Sequence, residues 1–197
     1  MDFLTRMMTI APKTPFTRGV ICIFYILVLL GTFPCPRPCL AAFNLDQVEA
    51  AFIFNLTNFV RWPDQATQDR PFVIGVMGNP QVARNLQIII SGEKIKGREA
   101  VVKIIDDPSE IEDCDILFIG NSFKGNVDEI LQLLRGHPVL TLGESEEFLK
   151  KGGMVAFIFT GKRIQIQVSV EAAQQEGISF NSKLLRIAKI YKPERQR

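Results

Sequence analysis

Histidine is nearly missing from this chain: His137 is the only one, in Gly136-His137-Pro138. A single loop histidine with no nucleophile beside it makes a poor general base. It also leaves no His and Cys spacing that could ligate a metal. Cysteine is scarce where it would count. Of the four, Cys22, Cys35 and Cys39 sit near the start, and only Cys114 lies beyond them. One thiol closes no internal bridge, so a disulfide scaffold is excluded. Phosphate-binding glycine loops are absent, since Gly75-Val76-Met77-Gly78 lacks the third glycine of the dinucleotide fingerprint. No nucleophile-elbow sequence occurs. No residue is therefore assigned to catalysis, to a metal or to a cofactor, and the expectation is a protein that is not an enzyme.

What is present in excess is apolar sequence near the start. Residues 20–30 (VICIFYILVLL) form an unbroken apolar run. Arg6, Lys13 and Arg18 precede it, opposed only by Asp2, and Gly31, Pro34, Pro36 and Pro38 follow. Cys39-Leu40-Ala41 then sets small residues two apart, ahead of Ala42. These are the parts of a secretory signal peptide. The run falls short of the roughly 17–25 residues that a membrane span needs. The expectation is a cleaved signal peptide over 1–42 and a single domain over 43–197, working in the periplasm. A retained N-terminal anchor is the alternative. A lipoprotein is disfavoured, because Cys35 and Cys39 each follow a proline. Taking the four basic residues and one acidic residue of 1–42 from the totals of 23 and 21 leaves 19 and 20, a net charge of −1. Such a balance does not describe an electrostatic nucleic-acid binder.

Beyond the leader, Leu45, Val48, Phe52, Leu56, Phe59 and Val60 mark one face of a helix that Pro63 stops. Ala51, Ile53 and Phe54 widen that face, so the helix is buried or binds something. Residues 71–77 (PFVIGVM) read as a buried strand. Gly78-Asn79-Pro80 gives a turn, an N-cap and a proline at the first helical position. A helix over about 81–90, a basic loop over 94–98, and strands over 100–105 and 115–119 follow. Further on come a helix over 127–135, a strand over 139–142 and a short helix over 144–150. A hairpin turning at Gly161-Lys162 joins strands over 154–160 and 163–168. Helices over 170–176 and 182–190 close the chain. Apolar strands such as FVIGV and ILFI imply a sheet covered on both faces. The fold expected is a three-layer α/β/α sandwich, its sheet mostly parallel with an antiparallel edge hairpin.

Two charged clusters read first as solvated surface. One is acidic, Asp106, Asp107, Glu110, Glu112, Asp113 and Asp115. The other is a basic stripe, Lys183, Arg186, Lys189, Lys192, Arg195 and Arg197, which could also meet an acidic partner or an anionic lipid. Cys114 leads into an apolar strand, either as a small buried hydrophobe or as a redox or cross-linking thiol. The end of the first helix resists so plain a reading. Asn55, Asn58, Phe59, Arg61 and Trp62 place amides, a cation and the only tryptophan together, as a ligand pocket or a partner surface would. Core packing with capping is the competing account.

Residues 50–63 (AAFIFNLTNFVRWP) resemble the opening motif of the YfiR-like periplasmic proteins, of the form AAFLYNFxxFVxWP. The resemblance continues in order through FVIGV at 72–76, CDILFI at 114–119, PVLTLGE at 138–144, GGMV at 152–155 and SKLLRIA at 182–188. It implies a non-enzymatic, homodimeric periplasmic signalling regulator. Such a protein represses an inner-membrane diguanylate cyclase, or a related membrane sensor, by binding its periplasmic domain. An outer-membrane lipoprotein can sequester it, so it controls cyclic di-GMP and biofilm formation. Some members respond to redox state through disulfides; this chain departs there, with Cys114 alone after the leader. A periplasmic small-molecule sensor with its ligand near Trp62 is the second reading.

Overall fold

The computed structural model describes residues 44–63, 70–161 and 163–193; the expected signal peptide over 1–42 lies outside them. The first helix, α1 (Leu45–Leu56), is four residues shorter than its periodicity suggested. Thr57 turns the chain, its hydroxyl donating to Phe54 O at 2.7 Å. The freed residues then form β1 (Val60–Arg61), antiparallel to β9 (Ser179–Phe180). After β2 (Phe72–Met77), Asn79 caps α2 (Pro80–Ile89) by accepting from Val82 N, with Pro80 in the first turn. The basic loop is a hairpin: β3 (Lys94–Ile95) folds back on β4 (Arg98–Ile104). A 3-10 turn, Pro108–Asp113, leads to β5 (Ile116–Ile119). Then come α3 (Val127–Leu133), β6 (Leu140–Gly143), α4 (Glu146–Lys150), β7 (Val155–Thr160) and β8 (Arg163–Val168). The chain finishes with α5 (Val170–Gln175), β9, α6 (Ser182–Ile187) and β10 (Lys189–Ile190).

The expected three-layer α/β/α sandwich forms around an eight-stranded sheet ordered β10-β8-β7-β6-β5-β2-β4-β3. The five central strands, β4-β2-β5-β6-β7, are parallel and follow the 2-1-3-4-5 order of a doubly wound sheet. The β7–β8 hairpin is antiparallel, as expected. It is not quite the rim, because β10 adds a short parallel strand outside β8. The last helix therefore stops at Ile187 rather than 190, and Tyr191 N donates to Val168 O at 2.8 Å instead. The basic stripe is accordingly not one helical face; it passes from α6 through β10, with Arg195 and Arg197 outside the described residues.

Alternate residues of each strand serve opposite faces. Phe72, Ile74, Val76, Ile116, Phe118, Leu140 and Phe157 pack under α1, α2 and α5. Val73, Met77, Leu117, Ile119 and Ala156 pack under α3, α4 and the 3-10 turn. Phe148 of α4 lies in the space left by Gly143 and Gly153. A side chain at Gly153 would fall inside the buried phenyl ring, so Gly153→Ala should lower stability by about 1–3 kcal/mol. Urea unfolding followed by circular dichroism measures this; an unchanged midpoint would show that the ring has room to move.

Candidate functional site

At the amino ends of the parallel strands, one carboxylate gathers three segments. Asp115, just before β5, is 2% exposed. It accepts from Val73 N at 2.8 Å, from Arg70 Nη1 and Nη2 at 3.0 and 3.2 Å, and from Arg98 Nη2 at 2.5 Å. A buried carboxylate is stable only when so supplied with donors. The Arg98 guanidinium also lies 4.8 Å from the centre of the Phe72 ring, and its Nη1 is buried without a hydrogen-bond partner among the described residues. Trp62 joins this knot from outside. Its Nε1 donates to Asp115 O at 3.2 Å, and its ring meets Phe72 edge-on at 5.3 Å. Lys96 completes the wall, with Nζ 5.9 Å from the indole centre. Lys96 and Gly97 form the two-residue β3–β4 turn, both with positive φ, at 52° and 81°. Holding a lysine in the left-handed region is uncommon, and it sets this cation beside the tryptophan.

The residues singled out in the sequence lie along the turn leaving α1. Asn55, Asn58 and Arg61 are exposed; Phe59 and Trp62 are half-buried and root the turn in the core. Asn55 Nδ2 donates to Ala51 O within its own helix. Phe59 O accepts from Asn181 N, tying the turn to the residue that caps α6. No hydrogen bond links these five side chains to each other among the described residues. The turn is thus a rigid polar surface over an aromatic anchor. Sequence reasoning missed Arg70, Lys96 and Arg98 as its supports. One signal was there: Asp115 opens a wholly apolar strand, and a charge so placed must find a cation.

The opposite end of the sheet is tightly packed between β2 and β5. Ligands of doubly wound sheets sit at the carboxyl ends of the strands, where the order reverses, here between β2 and β5. Gly78 packs directly against Phe123, and a Cβ at Gly120 would come 2.8 Å from Asn79 Cβ. The neighbouring groups are acidic. Asn79 Nδ2 donates to Asp46 Oδ1 at 3.0 Å, and Glu144 Oε2 accepts from Asn121 N. Glu49 of α1, 2% exposed, is pushed up to about 9 by burial, then by a hydrogen bond with Glu144 and by the charges of Glu144 and Asp46. It is a neutral acid at pH 7, hydrogen-bonded to a carboxylate. A cavity of about 160 Å³ remains beside this crevice, lined by Gly120, Asn121, Phe123, Glu144, Glu147 and Lys151, and its acidic wall disfavours a phosphate.

The other candidates do not converge. Asp106, Asp107, Glu110, Glu112 and Asp113 are exposed around the 3-10 turn, which Asp107 caps by accepting from Ser109 N. Cys114 faces Gly75 on the inner side of β5 and is 1% exposed. Burial pushes its thiol up to about 11, with a smaller upward push from Asp115 and Asp113 that Lys103 opposes. A thiol so placed behaves as a small hydrophobe. His137 is half-buried in the loop before β6. Among the described residues no three His, Cys, Asp or Glu side chains could hold a metal ion.

A family model described as YfiR/HmsC-like matches residues 46–189. The chain belongs to the YfiR/HmsC-like family. The family is known for periplasmic regulators. No helix among the described residues is long and apolar enough to cross a membrane. The fold is also similar to a solved structure described as a conserved domain protein from Vibrio cholerae O1 biovar El Tor. The TM-score is 0.51 at 14% identity, covering 75% of this chain and 60% of that one. The chain therefore spans about three-fifths of the length of that relative, and the likeness concerns the fold.

Two measurements test the site's physics. Asp115→Ala leaves Arg98 buried without a counterion, so unfolding free energy should fall by about 3–5 kcal/mol. A loss under about 1 kcal/mol in denaturant titration would show the knot to be ornamental. For Glu49, the folded group keeps its proton to about pH 9, while the unfolded one releases it near 4.5. The stability tied to that proton is full below the unfolded value and is lost as pH rises through the folded one. Melting temperature should fall from pH 5 to pH 9, and Glu49→Gln should flatten the slope; parallel profiles would remove this assignment.

Proposed function

We propose that this YfiR/HmsC-like protein is a non-enzymatic periplasmic regulator that represses an inner-membrane diguanylate cyclase, or a related membrane sensor, by binding its periplasmic domain. The surface offered is Asn55, Asn58, Phe59, Arg61 and Trp62. The observation that carries this reading is the anchoring of that turn by Trp62. Its polar side chains face solvent while Trp62 is fixed by Asp115 and Phe72. A preformed surface with a central aromatic and an arginine suits a protein partner, because little ordering cost is incurred on docking. Residues 1–42 act as the export signal in this reading. An outer-membrane lipoprotein competes for the regulator, and the regulator works as a homodimer.

A second reading is favoured by one feature. Lys96 Nζ lies over the Trp62 indole, and Arg98 stacks on Phe72 behind it, so a small anionic molecule held by Lys96 could tune the surface.

Deleting the gene should raise cyclic di-GMP several-fold, and complementation should restore it. Cross-linking in intact cells should trap an inner-membrane protein, identifiable by mass spectrometry. Arg61→Glu should weaken that capture about tenfold or more without lowering the melting temperature, since Arg61 is exposed. Unchanged cyclic di-GMP on deletion, with no membrane protein trapped, would refute the proposal.

A further inference from the structure

Each edge of the main sheet is finished by a strand of only two residues, and what separates the two edges is the charge around them. At one, β3 meets β4 only at Arg98 and Glu99, so Val101–Ile104 have no partner strand on that side among the described residues. At the other, β10 is two residues long and meets β8 only at Gln167 and Val168. Among the described residues no strand pairs with Arg163–Ile166 on that side. The register says which groups this leaves open. Ser169 N donates to Met154 O, so that pair is hydrogen-bonded. Antiparallel alternation then turns Gln167, Gln165 and Arg163 towards β7, and Val168, Ile166 and Ile164 outward. Val168 O is taken by Tyr191 N. The backbone of Ile164 lies beyond the reach of β10. Natural sheets usually blunt or cover such an edge.

The charge around it has one sign. Residues 152–170 and 177–193 contain no Asp or Glu. Arg163, Lys183, Arg186, Lys189 and Lys192 are all exposed there. Beside Lys189 stand Ile187 and Ile190, 69% and 45% exposed, two of the most exposed large aliphatic side chains described.

We infer that the open stretch of β8, Arg163–Ile166, is a docking edge that takes an extended acidic segment of a partner protein as an added strand. Backbone hydrogen bonds set the register, the cations select the charge, and the isoleucines hold apolar side chains of the guest. A second copy of this chain fits badly, because two such edges bring like charges together. An anionic bilayer would neutralise the lysines but leave the open N–H and C=O groups without partners.

This inference rests on the reading of the protein as a partner-binding regulator, yet its test reads the edge alone. The purified protein is titrated with a short blocked peptide alternating valine and glutamate, and amide hydrogen exchange is followed by residue. Exchange at Ile164 should slow by about tenfold or more, and the effect should fade at high salt. The same peptide with lysine for glutamate should do nothing. Arg163→Glu combined with Lys189→Glu should abolish protection. Ile164→Pro should do the same, since it removes an outward N–H without touching the β7 ladder. Protection elsewhere, equal protection by the lysine peptide, or protection by phosphatidylglycerol vesicles but not by peptide overturns the inference. A membrane partner that binds wild-type and charge-reversed protein equally removes the edge and leaves the regulator standing. Edge protection in a protein that no membrane partner recognises does the reverse.

Discussion

Everything at the amino end of the sheet is organised by the need to keep one buried charge satisfied. Asp115 enters the core at the mouth of β5, where an unpaired carboxylate would cost several kcal/mol. Its donors come from three places: Arg70 before β2, Val73 within β2, and Arg98 at the start of β4. The three strands can therefore take up their register only together. Phe72 lies between the Arg98 guanidinium and Trp62, so the aromatic packing and the ion pairing are one structure. The outer turn inherits this rigidity. Trp62 donates to the carbonyl of the same Asp115, and so the exposed residues beside it are held by the core rather than by each other.

The two ends of the sheet then divide their work. In a doubly wound sheet the carboxyl end is the usual ligand end. Here the glycines that might open a phosphate cradle serve close packing instead, Gly78 on Phe123 and Gly120 on Asn79. The acid Glu49 lies against Glu144 beside them, which makes the surroundings acidic. The fold keeps its stability role there, and the two surfaces proposed for recognition lie elsewhere, at the amino-end turn and the β8 edge. Fold alone does not set function; the side chains that fill the crevice do.

Much of the architecture was legible in the residues. Asn79 followed by Pro80 announced the start of α2, and FVIGV and ILFI announced strands buried on both faces. What could not be read were β1, β3, β9 and β10, each two residues long. Two residues carry no periodicity, and such strands exist only because a partner lies beside them. Val60 and Arg61 leave the helical pattern for Phe180 and Ser179; Lys189 and Ile190 leave it for Gln167 and Val168.

The candidate surface shows the same division. Local chemistry marked Asn55, Asn58, Phe59, Arg61 and Trp62, because a lone tryptophan among amides at a helix end is visible in any one stretch of chain. It could not supply what holds them. Trp62 and Asp115 are 53 residues apart, and Arg98 and Asp115 are 17 apart. The sequence by itself determined the layers, the buried strands and the absence of a recognisable catalytic motif, since periodicity, caps and residue type act over a few positions. Only the tertiary structure decided which charges neutralise each other, which glycines pack closely and where the sheet edges stay unpaired, because these depend on distances that chain order does not contain.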